Sequence, residues 1–443
     1  MPLAINLSDH PRLPGVLVVA YGYPPTGGPG ALRVSKYTQY LSDHGWRAIV
    51  LTVKDGYNPV KPLPVPQNRI LRIERVAEVD PVKKLVKKSE GGLVENGLTG
   101  RSRRISWVKQ LYRSIAFPDR DWFWLPGAVY AGSKLLQDPA LDISMIFSSS
   151  PNITNHAIAM LLKRRSGLSW VAEFRDYWAF SDTRPPRNKT RAKLERELEQ
   201  RICNQADCVI SVSQECCQGF IDEYGLSPSR VMVIHNGFDP SDFAHVVSTN
   251  AYPKFSLAHA GFFYEGVCDP TPFFRALRML QDNGDIDLGK TALDFYGHYD
   301  PVVDSKLQDL DLSSIANWHG YVPYRDLISR LCNTYVLLSV APGEGYVNTK
   351  IFDYMGCRRP IIASGFKGST LDSIITNAGI GFVVDPHDEE GMKLAILHYW
   401  RCWKNGELGW SQASAQVLEP YTRPYQAGQL AVILDRLMPK RET

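Results

Sequence analysis

Short apolar runs recur along this sequence, each followed by a stretch with helical spacing, and the series begins twice. The run Val16 to Ala20 leads into turn residues, as a strand buried on both faces of a parallel sheet should. Ala31, Leu32, Val34, Tyr37, Thr38 and Leu41 then repeat at helical spacing, and "WRAIVLTV" supplies the next strand of a β-α-β unit. Further on, "ISMIFSS", "SWVAEF", "CVISVS" and "VMVIHNG" alternate with helical stretches such as "NITNHAIAMLLKRR". After "VIHNGFDPSDFAHVVSTNAYPK" the pattern restarts with "FSLAHAG", followed by "ALDFYG", "YVLLSVAP", "RPIIAS" and "GFVVD". Parallel strands need helices on both faces, so the pattern predicts an α/β chain of two doubly wound halves joined near residues 238 to 254. Open sheets of this kind bind ligands beyond the carboxyl ends of their strands, which puts the expected site in a cleft between the halves.

The composition agrees, because 443 residues with 44% hydrophobic content exceed what one core usually organises. A formal charge of +4 is too small and too dispersed for a nucleic-acid binder. Eight cysteines lack the paired spacing of zinc sites, and a chain this long needs no disulfide staples, which suggests free thiols in a reducing compartment. No basic stretch followed by an apolar core opens the sequence, and no apolar run approaches the ~18 residues of a membrane span. The expected location is cytoplasmic, with peripheral membrane contact left open.

That opening comes from residues 56 to 130, which fit the alternating scheme poorly. From Lys83 to Arg113, the basic residues Lys83, Lys84, Lys87, Lys88, Arg101, Arg103, Arg104, Lys109 and Arg113 stand against only Glu90 and Glu95, and the aromatic stretch "FPDRDWFWLPGAVY" follows. Basic residues beside exposed aromatics suit an anionic lipid surface. A solvated insertion whose aromatics pack inward is the alternative.

Four places carry candidate chemistry. The loop "PPTGGPGALR" joins the first strand to its helix, where Gly27 and Gly28 let backbone approach a phosphate and Arg33 follows; a tight turn is the plainer reading. "EFRDYW" ends a strand with Arg175 and Asp176, either a cleft-facing pair or an ion pair that locks the loop. His259 and Gly261 end the first strand of the second half, and His259 is either a ligand contact or a satisfied core histidine. In "GEGYVNTKIFDYMGCRRP", Asn348 or Thr349 should cap a helix whose first turn holds Lys350, a position where the helix dipole repels a cation unless an anion binds. Asp353, three residues on, can face the same side and either pair with the lysine or take a sugar hydroxyl.

In their order and spacing these segments resemble family 4 of the GT-B glycosyltransferases over nearly the whole chain. "YPPTGGPGALRVSKYTQYLSDHGWRAIVLT" resembles the family's first strand, glycine loop and helix, and "VIHNGFDPSDF" its Asn-Gly-x-Asp hinge. "HAGFFYEGVCDPTPFFRAL" and "VNTKIFDYMGCRRPIIAS" are similar to its donor-domain segments, and "VAEFRDYW" to a branch that assembles surface polysaccharides. The resemblance implies two Rossmann-like domains facing each other across a cleft. Residues 1–237 would bind the acceptor and carry the insertion at about 56–130, 238–420 would bind the donor, and a helix in 421–443 would cross back to the first domain. It further implies a retaining, metal-independent transfer without cofactor, from a nucleotide-diphosphate sugar to a glycan, lipid-linked or small-molecule acceptor. Under it, catalytic roles fall to Asp176, Arg175 and Lys350. Donor contacts fall to Gly27, Gly28, Arg33, His259, Gly261, Glu344, Asn348, Thr349, Lys350 and Asp353.

Two departures stand out. The family pairs two glutamates across seven residues, whereas Glu344 stands one residue too far from Asp353, which is itself an aspartate. Many members carry an arginine and a lysine after the first donor-domain strand, and "FFYEGVCDP" has neither. Lys350, backbone N–H groups or Arg33 must then carry more of the phosphate charge. The alternatives are a weakened GT-B protein that only binds a nucleotide sugar or glycan, and a nucleotide-sugar epimerase.

Overall fold

The computed structural model describes residues 13–54, 65–66, 69–80, 116–180, 188–247, 252–263, 268–340, 347–407 and 413–438. Contacts divide the chain into two units: Met1–Val212, Cys216–Ile234 and Ala427–Thr443 form the first, and Ser213–Glu215 with His235–Gln426 form the second.

The first unit is built on a parallel sheet in the order β3-β2-β1-β4-β5-β6-β7. Its strands are β1 (Gly15–Val19), β2 (Arg47–Val53), β3 (Ile70–Val76), β4 (Ile143–Ser149), β5 (Ser169–Glu173), β6 (Cys208–Ser211) and β7 (Val231–Val233). All of β1 is buried, and its side chains alternate between two cores. Leu17 and Val19 join Trp124, Ile158 and Trp170 on one face. Val16 and Val18 join Tyr37, Leu430 and Leu434 on the other, so the last helix, Arg423–Leu437, covers that second face. Trp46 Nε1 ties the same helix in through a 2.9 Å bond to Asp435.

The second unit repeats the plan in the order β10-β9-β8-β11-β12-β13. Here β8 is Phe255–Ala260, β9 Thr291–Tyr296, β10 Ala316–Trp318, β11 Val336–Val340, β12 Ile361–Ser364 and β13 Gly381–Val384. All its pairings are parallel. Each sheet therefore has one place where strand order reverses, between β1 and β4 in the first and between β8 and β11 in the second. At such a point the helices after adjacent strands leave to opposite faces and open a crevice.

Two strands escape the apolar-run criterion. β3, "ILRIERV", alternates apolar and charged residues because it is a half-buried edge, and β10 is only three residues long. β3 and the start of the helix Leu125–Leu136 fall in the stretch read as an insertion. Trp124 is fully buried and meets Tyr21 edge-to-face at 5.5 Å, so this aromatic packs inward, while Trp122 and Tyr130 are exposed. The basic residues from Lys83 to Arg113 lie outside the described residues. All eight cysteines are free. Among the described residues no helix is long and apolar enough to cross a membrane.

A buried ion pair fixes α1 (Pro29–Tyr40) against this sheet. Arg33 Nε and Nη2 donate to Glu173 Oε1 at 3.0 and 2.8 Å, and Nη2 also donates to the Ile234 carbonyl at 2.8 Å. Tyr37 donates to the same carboxylate oxygen at 3.0 Å, and Ser149 to Oε2 at 2.6 Å. Both charged side chains are 0% exposed. Burial opposes both charges, yet Arg33 holds the Glu173 carboxyl below its ordinary range and Glu173 raises the Arg33 guanidinium. Glu173→Gln strands a buried guanidinium and should cost about 3–5 kcal/mol in urea unfolding, with much of the loss recovered in Arg33→Met/Glu173→Leu. A cost below ~1 kcal/mol for the single change would show that the pair does not hold α1 in place.

Candidate functional site

In the second unit the strand reversal gathers β8, β11 and the helix Lys350–Cys357. His259, next to last in β8, is buried. Its Nδ1 lies 3.1 Å from the Leu338 carbonyl, which can only accept, so Nδ1 carries the proton and Nε2 is left as an acceptor. Lys350 Nζ lies 3.1 Å from that Nε2. Burial, then the Lys350 charge, hold His259 well below its ordinary pKa, so the ring is neutral. Phe263 stacks on it at 4.2 Å. Gly261 follows with φ of 112°, a left-handed value that suits glycine, and a methyl group there would stand 3.1 Å from Lys350 Nζ. Histidine, lysine and bare backbone thus meet at one point.

The helix itself departs from expectation at its cap. Thr349 makes no side-chain capping bond, and Asn348 turns its amide to the Val340 carbonyl at 2.7 Å. The reason is local: the chain must return from the end of β11, and Asn348 secures that return instead of the helix amides. Lys350 is the first helical residue, half-buried, and no ion pair joins it to a carboxylate among the described residues. Burial pushes its ammonium down to about 8.

Asp353 is not the partner of Lys350. It accepts 2.8 Å from Tyr324 Oη. Burial pushes its carboxyl up to about 6, opposed by the Tyr324 bond and by Arg423, with Asp242 adding to the rise. Tyr354 extends the set: it accepts from the Ala260 amide at 2.9 Å and donates to the Leu338 carbonyl at 3.3 Å, tying the helix to β8 and β11. Neither tyrosine was singled out by the sequence, since Tyr324 stands far from the helix and Tyr354 reads as one more core-facing residue. Glu344 lies outside the described residues.

In the first unit, Gly28 precedes α1 with φ of 108° and is exposed. Arg33 corrects the expectation that it faces a phosphate, because its guanidinium is committed to Glu173 and Ile234. Arg175 and Asp176 follow β5 after Phe174. No hydrogen-bonded ion pair joins them among the described residues, and Asp176 is exposed. Arg175 instead lies over the first turn of α1: a methyl on Gly30 would stand 2.9 Å from its Nη1.

Known proteins share the fold of this chain. Residues 90–242 match the family model Glycosyltransferase Family 4. The chain superposes on sucrose-phosphate synthase from Thermosynechococcus elongatus with a TM-score of 0.65 at 15% identity, covering 96% of this chain and 99% of that one. A glycosyltransferase from Rickettsia africae gives 0.64 at 12% identity, covering 98% and 100%. The fold is GT-B, and the chain resembles family 4. The Anabaena protein HepE, solved with UDP and glucose, gives 0.61 at 14% identity, covering 96% and 100%. No curated protein sequence matches the chain.

Within this GT-B chain the two shifted groups give pH signatures of opposite window. Asp353 has a folded pKa near 6 against ~3.9 unfolded, so the fold binds more protons between those values and stability falls as pH rises through that window. Lys350, near 8 against ~10.4, leaves the unfolded chain with more protons between those values, so stability rises there with pH. Melting temperatures from pH 4 to 10 should show Asp353→Asn more stable than the parent at pH 7 and equal to it near pH 4. Lys350→Met should lose the rise above pH 8. Parallel curves for parent and variants would contradict the burial of both groups.

Proposed function

We propose that the chain is a retaining glycosyltransferase whose second unit binds a nucleotide-diphosphate sugar and whose first unit binds the acceptor. The observation that carries this reading is Lys350: an ammonium half-buried at a helix N-terminus, beside a neutral histidine, without a carboxylate partner among the described residues. Such a site favours an anion from three sources at once, the ammonium, the helix dipole and the free backbone N–H groups. A diphosphate leaving group is such an anion, and its charge grows as the sugar–phosphate bond breaks. HepE, whose structures hold UDP, UDP with glucose, and UDP-glucose, shares this fold and supports the assignment.

Under this reading Lys350 contacts the diphosphate, Asp353 the ribose hydroxyls, and Asp176 the acceptor hydroxyl. With Arg33 spent on Glu173, Lys350 bears the donor's charge largely alone. That same fact favours the second reading, a protein that binds the donor without turning it over. Under the first reading the acceptor is a glycan, a lipid-linked sugar or a small molecule, in surface polysaccharide or glycolipid biosynthesis.

The test is UDP binding by calorimetry beside transfer from UDP-sugars. At ~100 times its dissociation constant UDP should stabilise the parent by ~2.7 kcal/mol. Lys350→Ala should weaken binding about tenfold and slow transfer further, because its bond strengthens in the transition state. Lys350→Ala that binds UDP like the parent would refute the donor site. Asp176→Asn should keep UDP affinity and lose transfer at least a hundredfold; UDP binding with no transfer by the parent would favour the binding protein.

A further inference from the structure

Lys350 opens its helix, and the far end of the same helix holds a thiol in contact with another. Cys357 closes the helix Lys350–Cys357, and Cys332 closes the helix Tyr324–Cys332. The two helices pack on each other in one core of the second unit, and both cysteines are buried there. The Cys357 thiol donates a hydrogen bond to the Cys332 sulfur. The helices meet a second time where Tyr324 donates to Asp353 at 2.8 Å, and Asp353 and Cys357, one turn apart, share a face. The carboxyl end of a helix disfavours a thiolate. Arg359 answers that field at the end of the helix Tyr324–Cys332, where its Nε donates to the Cys332 carbonyl at 2.7 Å.

These surroundings give the two sulfurs different roles. The bond from Cys357 holds the Cys332 thiol below its ordinary range, with burial opposing it and Arg359 assisting. Burial, then the bond to Cys332, push the Cys357 thiol well above its range, and Asp353 adds to the rise. Cys332 is therefore the nucleophile and Cys357 the partner that keeps its proton. Exposures of 5% and 6% leave neither sealed from an oxidant as small as hydrogen peroxide. We propose that Cys332 and Cys357 form a redox-sensing site that hydrogen peroxide closes to a disulfide, loosening the donor site at the other end of the helix Lys350–Cys357. The Cys332 sulfur attacks the peroxide O–O bond and becomes a sulfenic acid, releasing hydroxide that the proton lost from that thiol converts to water. The Cys357 sulfur then displaces the sulfenic hydroxyl, which leaves as water with the Cys357 proton, so two thiols and one peroxide give one disulfide and two waters. The sulfurs must close to about 2.05 Å, well inside a thiol hydrogen bond, so the ends of the two helices draw together. Lys350 and Asp353 belong to the same short helix and move with it. The effect on the donor rests on the reading of Lys350 given above, and the disulfide does not.

The reduced full-length chain is treated with hydrogen peroxide without denaturant, alkylated with iodoacetamide and cut with trypsin, which puts Cys332 in the peptide 331–350 and Cys357 in the peptide 351–358. Mass spectrometry should find the two peptides joined, and dithiothreitol added before alkylation should separate them. Cys402 is more exposed than either, but burial raises its thiol, so it should still be alkylated at that dose. Cys332→Ser should leave Cys357 alkylatable, whereas Cys357→Ser should hold Cys332 as a sulfenic acid that dimedone captures. Both peptides found separate and alkylated at a dose that oxidises Cys402 overturn the site. UDP affinity of the oxidised parent should fall about five- to tenfold, return with dithiothreitol, and stay constant in Cys332→Ser. Joined peptides with unchanged UDP affinity overturn the regulation. A reduced parent that binds no UDP refutes the donor reading and the regulation with it, and the peptides alone then decide the disulfide.

Discussion

The Arg33–Glu173 pair sets the geometry of the first unit. It joins α1 to the end of β5, and through Ser149 and the Ile234 carbonyl it reaches the end of β4 and the segment after β7. Two fully buried charges are costly unless each remaining lone pair and proton is satisfied, and here four donors converge on one carboxylate. A helix tethered in this way cannot rotate or slide. The glycine loop before it and the arginine across from it therefore keep a fixed relation.

The two units meet the same physical problem differently. Each sheet reverses strand order once, and each brings a cation to the start of the helix beyond that point. In the second unit the helix supplies its own cation, and the neighbouring strand answers with a neutral imidazole whose tautomer is set by the Leu338 carbonyl. In the first unit the helix's own arginine is neutralised, and the cation comes from the strand two places away. A cation in a helix's first turn costs about 0.3–1 kcal/mol before burial is counted. Packing holds the arrangement: Ile351, Phe352, Tyr354 and Met355 are all buried behind Lys350.

Much of this was legible in the sequence, for a physical reason. Parallel strands covered on both faces are continuous apolar runs, so β1, β2, β4, β8 and β11 announce themselves, and their order predicts both crevices. β3 was not legible, because an edge strand is half solvated and its charged residues interrupt the run. At the site, the unexpected charge of Lys350 could be read from its place after the strand. Its contact with His259 could not, since ninety-one positions separate them. Arg33 misled because a basic residue near a glycine loop looks the same whether it faces phosphate or a carboxylate from a distant strand. Tyr324 gave no signal at all, as its hydroxyl gains meaning only once Asp353 is beside it.

The last helix has a consequence for biosynthesis. Leu430, Ile433 and Leu434 cover the face of the first sheet that includes Val16, Val18 and Phe147, yet they follow the whole of His235–Gln426 in the chain. A ribosome adding about 5–20 residues per second needs roughly ten to forty seconds to pass that stretch. For that interval the nascent first sheet has one apolar face without its native cover. The early strands must be shielded by chaperones or by non-native contacts, and the usual order in which an N-terminal domain matures first is reversed at its final step.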